Sequence, residues 1–223
     1  MKIEYIYHSG FTVETDNYFF VFDYYKGRVD LKDKKTIVFS THGHGDHYNR
    51  EIYDWEKEKP HILYVLSGDI EAKASKHVYI LDEGEDLKLF DVEIKSFGST
   101  DLGISLLVKA DGKSIFFAGD LNWWYWDDDS DEEKIRMEHV FKEEVNKLKG
   151  FKIDVAFFPV DPRLEEDYYR GGEYFINTIH PRHFFPMHFG DKYDVIPKFI
   201  HKMNTKDTSI VDITERNQVF ELE

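Results

Sequence analysis

Three histidines and one aspartate fall within six residues, directly after an apolar, strand-like run. They are His42, His44, Asp46 and His47. Side chains two residues apart on an extended backbone project to the same side, so His42 and His44 point together. The glycines between them permit a tight turn that brings Asp46 and His47 to a neighbouring point. Because imidazole and carboxylate are ligands of zinc-type metals, this spacing predicts two adjacent metal positions.

Two further candidate ligands follow strand-like runs later in the chain. Asp120 comes after Gly119, where its carboxylate could bridge two cations, and His188 ends the aromatic run His183 to Met187. Each also has a plain structural interpretation, because Asp after Gly is common in turns and a single histidine is often structural. Their weight as ligands depends on the first cluster.

Short strands and helices must position these residues. Period-two alternation predicts an N-terminal meander over residues 3–23, and an Asp111-Gly112 turn predicts a hairpin before Asp120. Ser130 and Glu133 form a capping box that begins a helix over 130–150. Further helices are predicted at 50–57, 69–75, 172–179 and 195–203, and further strands at 36–40, 62–66, 78–81, 153–160, 183–187, 209–213 and 218–222. This order predicts two packed sheets with helices outside, as one domain over residues 1–223.

The composition restricts the chemistry and the partners. The 223 residues contain 44 Asp and Glu against 29 Lys and Arg, for a net charge of -15, which disfavours nucleic acid and anionic lipid as partners. Cysteine is absent, so any metal site must use nitrogen and oxygen ligands. Apolar runs fall short of the roughly 20 residues of a membrane span, and the N-terminus lacks a signal-peptide pattern. We expect a cytoplasmic protein.

The motifs resemble those of the metallo-β-lactamase superfamily. The resemblance rests on the His-x-His-x-Asp-His spacing of residues 42–47, on Gly119-Asp120, on the strand-end His188, and on Tyr7-His8-Ser9-Gly10 and Phe22-Asp23. It spans the whole chain and implies an α/β (α+β) fold, a four-layer αββα sandwich with a binuclear site between the sheets.

The resemblance also implies individual roles. His42 and His44 would hold the first metal, and Asp120 would bridge the first metal and the second. The ligands of the second metal would be Asp46, His47 and His188. Asp23 would orient a metal-bound histidine through a hydrogen bond.

One ligand of the superfamily pattern is missing. A third histidine usually reaches the first metal from a Gly-His-Ser/Thr turn, but the matching segment here, residues 98–103, contains Asp101 and no histidine. Either the first position is weakened or empty, or Asp101 replaces the histidine with an oxygen ligand better suited to Mn²⁺ or Fe²⁺. A turn-capping role for Asp101 has similar weight.

The catalytic and substrate-binding candidates follow from these positions. Asp46 is the best placed carboxylate to orient an attacking water or accept its proton. The aromatic run after Asp120 offers Asn122 and Trp123 as substrate contacts, although these rings could equally anchor the loop to the core. Lys26, and either Arg163 or Arg170, are candidates for binding a carboxylate or phosphate, with a surface role as the alternative for each.

The leading hypothesis is a metal-dependent hydrolase that acts on a small ester, lactone, thioester or phosphoester. It would use one or two divalent ions, zinc first, with manganese or iron as alternatives, and a small-molecule substrate. The alternatives are a nuclease or phosphodiesterase of the same fold and a non-catalytic, metal-dependent binding or sensing protein. The oligomeric state is left open by the sequence.

Overall fold

Two seven-stranded sheets lie face to face in the computed structural model, which describes residues 1–72, 75–203 and 205–223. The first sheet has the order β14-β1-β2-β3-β4-β5-β6, with β3 to β6 parallel. Its strands are β1 (Lys2–Tyr7), β2 (Gly10–Glu14), β3 (Tyr18–Phe22), β4 (Lys35–Ser40), β5 (Leu63–Ser67), β6 (Val78–Leu81) and β14 (Val219–Glu221).

The second sheet has the order β13-β12-β11-β10-β9-β8-β7, with β10 to β13 parallel. Its strands are β7 (Asp86–Leu89), β8 (Val92–Phe97), β9 (Ser105–Ala110), β10 (Lys113–Phe117), β11 (Val155–Pro159), β12 (His183–Met187) and β13 (Ser209–Ile210). The predicted Asp111-Gly112 turn joins β9 to β10, and both of its residues have positive φ.

Helices cover the outer faces unevenly. Three α-helices pack on the second sheet, where Phe141, Phe175 and Phe199 contact Phe158 and Phe184. They are α1 (Asp131–Lys147), α2 (Arg170–Ile179) and α3 (Val195–Met203). The first sheet is covered by a 3₁₀ helix, Arg50–Lys57, and a second 3₁₀ helix, Pro162–Asp167, follows β11.

This architecture confirms the predicted sandwich of two sheets and helices. The capping box at the start of α1 is also present. The helix predicted at 69–75 is not found over 69–72 or at 75, and its residues 73–74 lie outside the described part of the chain. No helix in the described part of the chain is both long enough and apolar enough to cross a membrane.

Aromatic side chains between the sheets form the floor beneath the strand ends. Alternate residues of β3 face opposite sides, so Phe22 points into the inter-sheet core while Val21 packs in the outer cluster. The Phe22 ring stacks on Phe39 from β4 and on Phe117 from β10, each with ring centroids 4.8 Å apart. These contacts lock the ends of strands from both sheets together and exclude water below them.

The strand ends then bring distant polar residues to one edge of the sandwich. The carboxyl ends of parallel strands meet at the same edge of a sheet, where ligands commonly bind. Asp23 and His42 follow β3 and β4 in the first sheet, and Asp120 and His188 follow β10 and β12 in the second. Because β1 runs in the same direction as β3, His8 also reaches this edge.

A glycine joins the two sheets at this edge. Gly103 has φ +76°, and a Cβ atom there would lie 2.0 Å from the Thr41 carbonyl oxygen and 2.5 Å from His42 Cβ. The adjacent Ile104 N–H donates to the same Thr41 oxygen at 2.9 Å. The absence of a side chain at Gly103 therefore lets the second sheet approach the loop that carries the histidine cluster.

We predict that Gly103→Ala destabilises the protein much more than Gly112→Ala. Both glycines have positive φ, which costs alanine about 1–2 kcal/mol, but a Cβ at Gly112 meets open space whereas one at Gly103 meets backbone. The added overpacking is worth about 1–3 kcal/mol. Denaturant unfolding of the two variants measures the difference, and equal losses would contradict this account of the junction.

Candidate metal centre

A buried carboxylate lies among three imidazoles at the sheet edge. Asp120 Oδ1 is 3.1 Å from His47 Nε2 and 3.3 Å from His188 Nε2, and its Oδ2 is 3.3 Å from His42 Nε2. All four side chains are buried. The loop after β4 supplies two of these histidines, the end of β12 supplies the third, and the end of β10 supplies the carboxylate that contacts them all.

Two further carboxylates orient the histidines from behind. His47 Nδ1–H donates to Asp23 Oδ2 at 2.7 Å, and His188 Nδ1–H donates to Asp161 Oδ2 at 2.9 Å. Asp23 is itself fixed by the Thr41 N–H at 2.8 Å and the Thr41 hydroxyl at 2.7 Å. Each carboxylate therefore keeps the proton on Nδ1 and leaves Nε2 free to face the centre.

The first predicted metal position is more open. Its three donors, from His42, His44 and Asp120, lie within 4.8 Å of one another, but His44 is exposed. Asp101 is exposed in the turn before β9 and belongs to none of the groups of converging donors found in the described residues. The structure thus brings His42, His44 and Asp120 together and leaves Asp101 beside them, where its role as a ligand stays a prediction.

The second predicted position gathers four donors. Asp46, His47 and His188 converge as the resemblance implies, and His8 from the turn between β1 and β2 joins them. Asp46 is half-exposed, and its Oδ2 lies 3.3 Å from His8 Nε2. The His8 imidazole holds the pKa of the Asp46 carboxyl far below its usual range, so this group is ionised at neutral pH.

The site attracts positive charge. Burial opposes ionisation of Asp120, but contacts with His188 and His42 outweigh it and hold the pKa of this carboxyl below its usual range. Burial likewise opposes protonation of His188, yet Asp120 and Asp161 raise the pKa of His188 to about 9. In the metal-free protein, protons on histidines therefore supply the charge that the buried carboxylates require.

The donor atoms fit a divalent cation. Among the described residues, the buried Nε2 atoms of His42, His47 and His188 and the Oδ1 atom of Asp120 have no hydrogen-bond partner of acceptable geometry. Buried polar atoms without partners are costly and call for an explanation such as an ion. Imidazole nitrogen and carboxylate oxygen form the donor set that zinc, manganese and iron accept. The residues present therefore fit the metal that the sequence predicts.

A cavity of about 240 Å³ opens beside Asp120. Trp124 and Trp126 line it as stacked rings 5.9 Å apart, with Arg163 above them and Asp101 at the rim. Arg163 pairs with Asp161 through Nε and Nη2, as close as 2.6 Å. The cavity therefore combines flat apolar walls with one cationic group next to the donor cluster.

Two residues predicted as substrate contacts, Asn122 and Trp123, do not line this cavity. Asn122 is fully buried, and Trp123 packs against Phe141 of α1, so neither lines this cavity. Their positions support the alternative in which this part of the loop anchors to the core. Lys26 is exposed, 4.4 Å from the centre of the Tyr7 ring, and its role in substrate binding stays a prediction.

Two groups at the site have no role assigned to them from the sequence. Asp161 follows the buried strand β11, which lies between β10 and β12, so the strand-end rule that identifies Asp120 and His188 applies to it as well. His8 stands in a turn of the N-terminal meander. The meander places this turn at the same edge as Asp23, because β1 and β3 run in the same direction. The motif Tyr7-His8-Ser9-Gly10 is the sequence signal that could have identified this histidine.

We predict that Asp23→Asn lowers metal affinity about 10–100-fold, because an amide orients the His47 ring poorly and no longer increases its basicity. Asp154→Asn is the matched control. Asp154 accepts a hydrogen bond of 2.9 Å from the Ser114 backbone N–H, and it does not belong to the donor cluster. Competition titration against a chromophoric chelator measures both affinities. Equal affinities in the two variants would remove Asp23 from the metal site.

Metal binding should release protons and tighten as the pH rises. With the pKa of His188 at about 9 in the metal-free protein, a cation must displace a proton at pH 7. Apparent affinity should therefore rise by about tenfold per pH unit for each displaced proton between pH 6 and 8, and level off near pH 9. Calorimetry in buffers of different ionisation enthalpy counts the protons, and a pH-independent affinity would contradict the charge assignment.

Comparison with known proteins places this geometry in a family. The family model described as "Beta-lactamase superfamily domain" matches residues 2–188. No curated protein matches the chain. Among solved structures, YhfI from Bacillus subtilis, a metallo-β-lactamase fold protein, has a TM-score of 0.66 at 12% identity, with 98% of each chain covered.

Two other structures are similar over the whole of this chain. Igni18, a metallo hydrolase from the archaeon Ignicoccus hospitalis, has a TM-score of 0.63 at 15% identity, with 100% of each chain covered. The diiron β-hydroxylase CmlA from Streptomyces venezuelae has a TM-score of 0.64 at 10% identity, and the match covers 99% of this chain but 54% of CmlA. At such identities the likeness concerns the fold. The family match over most of the chain, together with the strand-end histidine and aspartate cluster, shows that the protein belongs to the metallo-β-lactamase superfamily.

Proposed function

We propose that the protein is a metal-dependent hydrolase that acts on a small ester, lactone, thioester or phosphoester. The observation that carries the proposal is the meeting of unpartnered imidazole nitrogens around Asp120 at the mouth of a cavity. Family membership agrees with it, and Igni18 is one structural neighbour named as a metallo hydrolase.

The cluster would hold one or two divalent ions, zinc first, with manganese or iron as alternatives. The first position would use His42 and His44, and the second Asp46, His47 and His188, with Asp120 shared. When bound, such ions lower the pKa of water from 15.7 to about 7 and polarise the oxygen of a scissile carbonyl or phosphoryl group. The N,O donor set accepts all three metals.

The chain's own groups then position the reactants. Asp46 is ionised and half-exposed, so its carboxylate can accept a hydrogen bond from the attacking water and orient it. Trp124 is nearly buried, with its Nε1–H donating to the Asp120 carbonyl oxygen at 3.0 Å, so its ring is a fixed wall that excludes water from the reacting bond.

Arg163 favours substrates that carry a carboxylate or phosphate. Its side-chain hydrogen bonds in the described residues use Nε and Nη2, so Nη1 remains available as a donor, and the residue lines the cavity. The stacked indoles below it accept a planar or apolar portion of the same molecule. The net charge of -15 disfavours a polyanionic polymer, so a nuclease is the weaker alternative to a hydrolase of small substrates.

The test is a hydrolysis assay of metal-loaded protein with aryl esters, lactones, thioesters and aryl phosphodiesters. Turnover of at least one class should appear in the wild type and fall about 100-fold in Asp46→Asn, the loss expected when a reactant is no longer held in position. Metal content, measured by mass spectrometry, should fall far less than turnover in this variant.

The blank for this assay is Asp120→Asn, which removes the charge that the three imidazoles contact. Full activity in Asp46→Asn would contradict the role assigned to this carboxylate. Metal binding without turnover of any class, over all three metals, would favour the binding or sensing alternative.

A further inference from the structure

An unusual backbone conformation holds a histidine at the edge of the donor cluster. His8 has φ +58° and His188 has φ +66°, a left-handed region that is strained for a residue other than glycine. The His188 N–H donates to the His8 carbonyl oxygen at 3.1 Å, and the His8 N–H donates to the Tyr5 hydroxyl at 2.9 Å. Two strained histidines from opposite sheets are thus fixed to each other, as residues at functional sites often are.

The His8 imidazole faces the second metal position. Its ring centroid is 4.1 Å from that of His188 and 5.6 Å from that of His47. Its Nε2 atom is buried and, among the described residues, has no hydrogen-bond partner of acceptable geometry, although Asp46 Oδ2 lies 3.3 Å away. The donor atoms of His8, Asp46, His47 and His188 all lie within 4.8 Å of one another.

The groups behind the histidines differ between the two positions. His47 and His188 each donate Nδ1–H to a buried carboxylate, Asp23 or Asp161. At the first position, the Nδ1 of His42 contacts the Thr41 hydroxyl at 3.2 Å, and His44 is exposed. Since a carboxylate behind an imidazole strengthens its binding to metal, the second position has the better supported ligands.

We propose that His8 is a metal ligand, so that the tight site of this chain is the second position, held by His8, Asp46, His47 and His188. The first position, without the third histidine of the superfamily pattern, is then the weaker site. The inference rests on the proposed metal centre and adds a ligand to it. A purely positioning role, in which His8 only orients Asp46, is the competing explanation.

The first experiment titrates metal-stripped protein with Co²⁺ or Zn²⁺ against a chromophoric chelator. His8→Asn removes the imidazole while keeping a residue that tolerates the left-handed backbone. The wild type should bind one equivalent tightly and a second more weakly. His8→Asn should weaken the tight equivalent at least 10–100-fold, whereas His44→Asn should retain it and lose the weaker one.

His139→Asn, an exposed histidine on α1, is the control and should match the wild type. A tight site that survives in His8→Asn, or that disappears in His44→Asn, would overturn the inference. If the wild type binds no metal, the proposed function fails as well; if it binds metal and hydrolyses substrate while His8→Asn keeps the tight site, this inference alone fails.

X-ray absorption at one equivalent of metal separates a ligand from a positioning residue and does not depend on a variant that folds. The wild-type spectrum should contain scattering from three imidazoles, contributed by His8, His47 and His188, and the His8→Asn spectrum from two. Two imidazoles in the wild type would show that His8 acts on Asp46 alone or that the first position fills first.

Discussion

The donor cluster at the edge of the sandwich depends on one buried carboxylate. Asp120 contacts imidazoles from both sheets, and its charge would be costly at this depth without them. The histidines in turn are kept in place by Asp23 and Asp161, so three carboxylates impose a demand for positive charge on a small volume. Protons meet that demand in the metal-free protein, and a divalent cation would meet it better because it also pairs the free nitrogen atoms.

The sandwich makes this arrangement possible by ending its strands at one edge. The stacked rings of Phe22, Phe39 and Phe117 join the two sheets directly below Asp23 and Asp120 and keep water out. Above them, the close approach at Gly103 sets the loop of the first sheet against the second. The apolar core therefore determines the positions of the polar groups. The site is rigid because of this packing, and not because of the loops that carry the ligands.

Much of this arrangement could be predicted from the sequence. The spacing of residues 42–47 and the runs before Asp120 and His188 predicted the side chains that the structure brings together, and alternation predicted the sheets. Asp23 and His47 form the hydrogen bond that the resemblance implied for a metal-bound histidine. These positions could be predicted because a motif within one loop, or at the end of a buried strand, depends on local geometry.

The sequence is less informative where the answer depends on pairing between distant segments. Trp123 and Trp124 are adjacent and chemically alike, yet one packs on α1 and the other lines the cavity, because the loop alternates between the core and the cleft. His8 and Asp161 lie at strand ends that the sequence indicates, but their contacts with His188 depend on how the two sheets pack, which a single sequence does not specify. Asp101 illustrates the same difficulty, because an aspartate in this loop could either cap a turn or bind a metal, and the sequence does not distinguish the two roles.

The most direct test of the metal centre is an anomalous-scattering map from crystals of protein purified without chelator, combined with mass-spectrometric metal analysis. We expect a strong peak among the imidazoles of His47 and His188 and the carboxylate of Asp120, with a metal content of at least one ion per chain. A metal-free protein whose map lacks any peak at this edge, or a peak confined to acidic groups on the surface, would contradict it.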